Sequence, residues 1–197
     1  MAGAVERLGV FGGTFDPVHH GHLVAATTVR YELGLDRVLL MVAGDQWQKR
    51  GKVVHSPHER LEMVRAAVEG IDGIEASSLE VDRDGPAYTD LTLEELQAPD
   101  RELYLVLGAD AARNTDTWMR VERVRELAHL VVVDREGALG VPASPDLWRW
   151  SNVTIPRLDI SSTELRRRLA AGAPLDGLVP PRVVALIRAR GWYGSGS

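Results

Sequence analysis

The chain has 197 residues, 45% of them hydrophobic and 26% charged; this is ordinary globular usage that supplies a core and excludes disordered and low-complexity classes. Its formal charge of -5 offers no field to a polyanion, so a dedicated nucleic-acid binder is not expected. Without cysteine it has no disulfide framework, thiol nucleophile or thiolate metal site, and without a spanning apolar run or a signal-peptide pattern the expected location is the cytoplasm.

In chain order, strands are predicted at RLGVFG (7–12), RVLLMVA (37–43), IEASSLEVD (74–82), ELYLVLG (102–108), HLVVVD (129–134) and NVTIP (152–156). Helical patterns fall between and after them, at 21–33, 57–69, 90–97, 119–128, 162–171 and 181–190. Short apolar strands alternating with helices read as βαβ units. The expected fold is therefore α/β, Rossmann-like and doubly wound, with a mostly parallel sheet and helices on both faces. One domain is expected over 1–192, followed by a flexible tail at 193–197. Two helices carry a Ser-x-x-Glu start signal, SPHE at 56–59 and SSTE at 161–164.

Two segments hold most of the chemistry. GVFGGTFDPVHHGHL (9–23) places Gly12 and Gly13 at the end of the first strand, just before a helix. That is the edge of an open α/β sheet where ligands bind, and a helix start directs N–H groups and partial positive charge at an anion. His19 and His22 are three residues apart and can share one face; His20 is expected to point elsewhere, and Gly21 to keep the turn open. Zinc is the competing reading for paired histidines, but no third ligand lies at the usual spacing. A P-loop is excluded because no Gly-Lys-Ser/Thr follows. Far along the chain, DISSTELRRRL (159–169) sets Arg166 one turn into a helix that begins with hydroxyl side chains.

Together GGTFDPVHHGH and SSTELR resemble the first and last signatures of the nucleotidylyltransferase superfamily, and in this full form the sequence is similar to the nicotinate-nucleotide adenylyltransferase family. LGADA (107–111), Trp118, WQK (47–49), Tyr88-Thr89 and LVPPRVVALIRARGWY (178–193) follow in that family's order. The resemblance implies adenylyl transfer from ATP to nicotinate mononucleotide, giving nicotinate adenine dinucleotide and pyrophosphate. It assigns catalysis to His19, His22 and Arg166. It assigns ATP binding to Gly12, Gly13, Thr14, Phe15, Gly21, Lys49, Gly108, Asp110, Ser161, Ser162 and Thr163. Acceptor binding falls to Asp16, Tyr88, Thr89 and Trp118. Magnesium would arrive on the ATP phosphates, no protein metal site is implied, and the partners are small molecules, with homo-oligomerisation left open and neither nucleic acid nor membrane involved.

Three stretches depart from the family pattern: VAGDQ (42–46) lacks a proline, the residues after Tyr88-Thr89 read Asp90-Leu91-Thr92-Leu93, and RNTDTW (113–118) lacks a hydrophobic residue. All lie mid-chain, on the acceptor side. Alternatives are a related adenylyltransferase with nicotinamide mononucleotide or phosphopantetheine as acceptor, and a nucleotide-binding sensor without turnover. His55, His58 and His129 are read as packing or surface residues.

Overall fold

Six strands, β1 (Glu6–Gly13), β2 (Arg37–Val42), β3 (Ile74–Ser77), β4 (Arg101–Gly108), β5 (Ala128–Arg135) and β6 (Trp150–Ile155), form one sheet in the order β3-β2-β1-β4-β5-β6. Every neighbouring pair is parallel. The computed structural model describes residues 4–44, 54–135 and 140–194. The helices are α1 (His20–Glu32), α2 (Pro57–Val68), α3 (Leu79–Asp82), α4 (Thr89–Leu96), α5 (Ala109–Ala112), α6 (Val121–Leu127), α7 (Ser162–Ala170) and α8 (Pro181–Arg190).

Two apolar layers show why the sheet is covered on both sides. Successive strand residues point to opposite faces. Val38, Leu40, Val42, Tyr104, Val106, Val131 and Val133 pack with Leu23, Val29, Leu61, Val64, Leu165 and Val184 from α1, α2, α7 and α8. Leu39, Met41, Leu103, Leu105, Leu107, Leu130 and Val132 pack with Leu93, Ala112, Val121, Val124 and Leu127 from α4, α5 and α6. The near-continuous apolar runs are those of strands buried on both faces.

The order reverses between β1 and β4, so their carboxyl ends, Gly13 and Gly108, flank the switch point at which such sheets bind ligands. Most boundaries agree with the sequence expectation within one or two residues. The exception is 74–82, where only Ile74–Ser77 is strand and Leu79–Asp82 is helical. Leu79 and Val81 alternate with polar residues and so mimic a strand. Register with β2 ends at Met41↔Ser77, and the chain turns helical over the end of β2, where the Glu80 carbonyl comes so near Gly44 that a Cβ there would lie 2.3 Å away. α6 begins at Val121 rather than 119 because Arg120 adopts a left-handed backbone.

Ser56 makes the full reciprocal cap, accepting from the Glu59 N–H while the Glu59 carboxylate accepts from the Ser56 N–H at 2.8 Å. Ser161 caps only one way, since it accepts from the Glu164 N–H at 3.2 Å and the Glu164 carboxylate turns to Arg167. Tyr193, placed in a flexible tail on sequence, lies in a 3-10 turn (Trp192–Gly194), and its hydroxyl donates to the Asp16 carboxylate.

Candidate active site

The loop after β1 is shaped by its rings. Phe15 is buried, has φ +52, and sits edge-on to Phe11 and His22 with ring centroids 6.1 and 4.9 Å away. A Cβ on Gly13 would lie 2.6 Å from the Phe15 ring, whereas one on Gly12 would meet nothing within 4 Å. The two glycines therefore differ: Gly13 makes room for the loop's own ring, and Gly12 borders open space where a ligand can approach the backbone.

His19 is the N-cap residue of α1, and its ring stacks on that of His22 with centroids 3.7 Å apart and planes 24° apart. Gly21 permits the stack, because a Cβ there would press on the His19 ring at 3.1 Å. The His19 N–H donates to His22 Nδ1 at 3.2 Å. A neutral His22 that accepts at Nδ1 carries its proton on Nε2, so it presents a donor from the far side of the ring. His19 is 6% exposed, and its Nδ1 has no hydrogen-bond partner among the described residues.

Burial, with a smaller contribution from the Arg135 charge, pushes the His19 pKa down to about 4. Burial and the neighbouring His19 hold His22 well below the ordinary imidazole range. Both rings are neutral at pH 7, and the pair offers N–H donors rather than fixed cations. The backbone N–H of His20 donates to the Leu178 carbonyl at 3.1 Å, tying the start of α1 to the segment before α8.

α7 docks on this loop. The Ser162 hydroxyl donates to the Pro17 carbonyl at 2.9 Å, and Arg166 Nη1 donates to the Asp16 carbonyl at 2.7 Å. Arg166 also reaches the Thr163 hydroxyl at 3.3 Å. The two end motifs, 150 residues apart at Asp16 and Arg166, are thereby one structural unit. Ser161 is exposed at the N-cap of α7.

Asp16, which the resemblance assigns to the acceptor, is buried and bonded within the protein. Its carboxylate is 1% exposed and accepts from the Val54 N–H at 2.7 Å, from His55 Nδ1 at 3.1 Å and from the Tyr193 hydroxyl. These bonds hold its pKa below the usual carboxylate range against the opposing effect of burial. The side chain is occupied within the protein, where it supports the loop from behind.

Buried Arg60 completes the support, donating to the carbonyls of Thr14 and Ala43 at 2.7 Å each and of His55 at 3.2 Å. His55, read from sequence as a packing residue, Arg60 and Tyr193 were not singled out as supports of the site. Their signal is weak, because nothing local in SPHER or GWY marks a residue whose partner lies 39 or 177 positions away. Arg135, at the end of β5, was also passed over, although its charge acts on His19.

On the other side of the switch point, Gly108 is the N-cap residue of α5 and the exposed Asp110 pairs with Arg113. Thr89 is the first residue of α4, and Tyr88, its N-cap residue, makes no side-chain cap, so no side chain of Tyr88 caps the first turn. Trp118 is half-buried against the second apolar layer. Lys49 and the rest of 45–53 lie outside the described residues.

Comparison with known proteins agrees with this geometry. The cytidylyltransferase-like family model matches residues 10–168. The probable nicotinate-nucleotide adenylyltransferase of Roseiflexus sp. (strain RS-1) is 46% identical over 193 residues, which is 94% of this chain and 97% of that protein. The protein of the same name from Saccharopolyspora erythraea is 42% identical over 190 residues, 95% of this chain and 90% of its own. A Plasmodium falciparum nicotinic acid mononucleotide adenylyltransferase solved in complex with NaAD shares the fold, with a TM-score of 0.78 and 18% identity over 97% of this chain and 98% of that one.

Proposed function

As this chain belongs to the nicotinate-nucleotide adenylyltransferase family within the cytidylyltransferase-like proteins, we propose that it transfers the adenylyl group of ATP to nicotinate mononucleotide, forming nicotinate adenine dinucleotide and pyrophosphate in NAD biosynthesis. The observation that carries the reading is the stacked, neutral His19 and His22 pair at the start of α1, beside the open backbone of Gly12.

An acceptor phosphate is already anionic at neutral pH. One of its oxygens attacks the α-phosphorus of ATP, the new P–O bond forms, and the bond to the β-phosphate breaks with its electrons leaving on pyrophosphate. No side chain needs to remove a proton. The protein's work is alignment and stabilisation of charge on the transferring group. In this reading His19 and His22 donate N–H groups to phosphate oxygens, Gly12, Gly13, Thr14 and Gly21 let the backbone come close, and Arg166 meets the departing pyrophosphate while holding the Asp16 carbonyl. Lys49 adds a charge from its segment. Asp110 and Gly108 serve the adenosine side; Thr89, Tyr88 and Trp118 serve the pyridine ring, for which tryptophan offers a flat face.

The donors at the β1 loop are imidazole and amide N–H groups, with the Asp16 carboxylate turned inward. That set suits phosphate oxygens, so magnesium belongs on the substrate phosphates, whose charge it screens. Partners are small molecules, and no described helix is long and apolar enough to cross a membrane.

The test is pyrophosphate release from Mg-ATP with nicotinate mononucleotide, nicotinamide mononucleotide and phosphopantetheine supplied separately. Release fastest with nicotinate mononucleotide is expected. ATP binding with no release for any acceptor overturns transferase activity in favour of a nucleotide sensor.

A further inference from the structure

Tyr193 reaches the site through a reversal of the chain. Gly191, with φ +63, ends α8, and the Trp192–Gly194 turn folds back so that Trp192 and Tyr193 pack on the first apolar layer. The Tyr193 ring lies 4.1 Å from that of His55, centroid to centroid, and its hydroxyl donates to Asp16 Oδ1. Burial and that carboxylate push the phenol pKa up, so the donor keeps its proton. Tyr193 itself has φ +58, a left-handed backbone that a tyrosine adopts only where its surroundings hold it.

Asp16 passes this hold onward. One carboxylate oxygen serves His55 Nδ1 and Tyr193 and the other the Val54 N–H, so the group is fixed at both oxygens. The carbonyl of the same residue accepts from Arg166 Nη1 at 2.7 Å, while the Thr163 hydroxyl accepts from Nη2 at 3.3 Å. Two such bonds set the plane of a guanidinium and thereby aim its remaining N–H groups. The Ser162 hydroxyl donates to the next carbonyl, that of Pro17, at 2.9 Å, which seats the start of α7 on the segment that Tyr193 secures. Covering the core requires only the ring of Tyr193; the hydroxyl bonds the residue whose carbonyl holds Arg166.

We infer that Tyr193, acting through Asp16, is a positioning residue for Arg166 and sets where its guanidinium meets the phosphates. This rests on the adenylyl-transfer reading and adds to it a residue from the far end of the chain that acts without touching substrate. Its hydroxyl should therefore matter to the reaction only while Arg166 is present.

The experiment is a double-mutant cycle in the full chain, with Tyr193→Phe, Arg166→Met and both together, assayed at a temperature where circular dichroism shows each variant folded. kcat and KM are measured forward with Mg-ATP and nicotinate mononucleotide, and in reverse with the dinucleotide and pyrophosphate. Tyr193→Phe keeps the ring against His55 and removes the donor. A misplacement of about 1 Å can cost roughly a hundredfold, so this partial release should lower kcat roughly tenfold. It should raise the KM for pyrophosphate and leave the KM for nicotinate mononucleotide unchanged. In the Arg166→Met background the same substitution should change kcat by no more than about twofold. Equal losses with and without Arg166, as a loosened fold would give, or an unchanged kcat in Tyr193→Phe, overturn the assignment. Should Tyr193→Phe fail to fold, 3-fluorotyrosine at position 193 decides by fluorine NMR. Its resonance should move when Mg-ATP saturates the protein and stay in place in Arg166→Met; a resonance unmoved with Arg166 present, or moved equally in both, refutes the coupling. If the unaltered protein binds Mg-ATP but releases no pyrophosphate with any acceptor, the transferase reading fails by itself, and the fluorine resonance still tests the tie between Tyr193 and Arg166.

Discussion

Acidification should expose the burial of His19. Its pKa in the folded protein is about 4, against 6.5 for a free imidazole. As pH falls below 6.5 the unfolded chain takes up a proton that the folded site refuses, so stability is fully present above pH 6.5 and is lost progressively down to about pH 4. At about 1.36 kcal/mol per pH unit, the drop from 6.5 to about 4 amounts to roughly 3 kcal/mol from this one ring. His22 acts in the same direction, so the slope of the unaltered protein alone does not isolate His19. The comparison that does is urea unfolding at a series of pH values between 7.5 and 4, with His19→Gln alongside. The variant should lose stability less steeply over the window from 6.5 to 4. Parallel curves would refute the claim that His19 is buried as a neutral ring. A bound triphosphate reverses the preference, because its negative charge stabilises imidazolium. ATP binding at pH 6 should therefore take up protons, read by calorimetry in buffers of different ionisation heat, and His19→Gln should reduce that uptake.

The two loop glycines should respond oppositely to alanine. Gly13→Ala drives a methyl to within 2.6 Å of a Phe15 ring with no free side to retreat to; it should cost about 1–3 kcal/mol and lower the Tm by several degrees. Gly12→Ala meets nothing within 4 Å, so its Tm should hold while the KM for ATP rises, because the methyl takes space needed by the phosphates. Asp16→Asn leaves one acceptor oxygen where Val54, His55 and Tyr193 now share two, and should cost about 2–3 kcal/mol in urea unfolding. Tyr193→Phe, which removes a single donor, should cost about 1 kcal/mol in the same assay.

What was legible in the sequence follows from the range of the physics involved. Burial on both faces wrote the central strands plainly as near-continuous apolar runs, and the β1 loop with its histidines and glycines was readable because its parts are adjacent. The strand expected over 74–82 failed where a short edge strand gave way to a helical turn, since Leu79 and Val81 satisfy either pattern locally. Asp16 was legible as important, but its bonds inside the protein were not. Its position in the motif suggested a ligand, and only the fold shows Tyr193 arriving from the far end of the chain to take its oxygen.

The supports of the loop also explain why its histidines can be buried without a carboxylate partner. In many sites an acid fixes the imidazole and raises its basicity. Here the nearest motif acid is turned away, bonded to His55, Tyr193 and the Val54 amide. Position is supplied by other means: the His19 N–H fixes His22, the missing Cβ of Gly21 admits the stack, and Phe15 stands edge-on behind it. A carboxylate bonded to either ring would raise its pKa and place a negative charge against a substrate that already carries several. By holding the rings through backbone and aromatic contacts, the fold leaves them neutral before substrate arrives and free to gain positive character as phosphate charge enters.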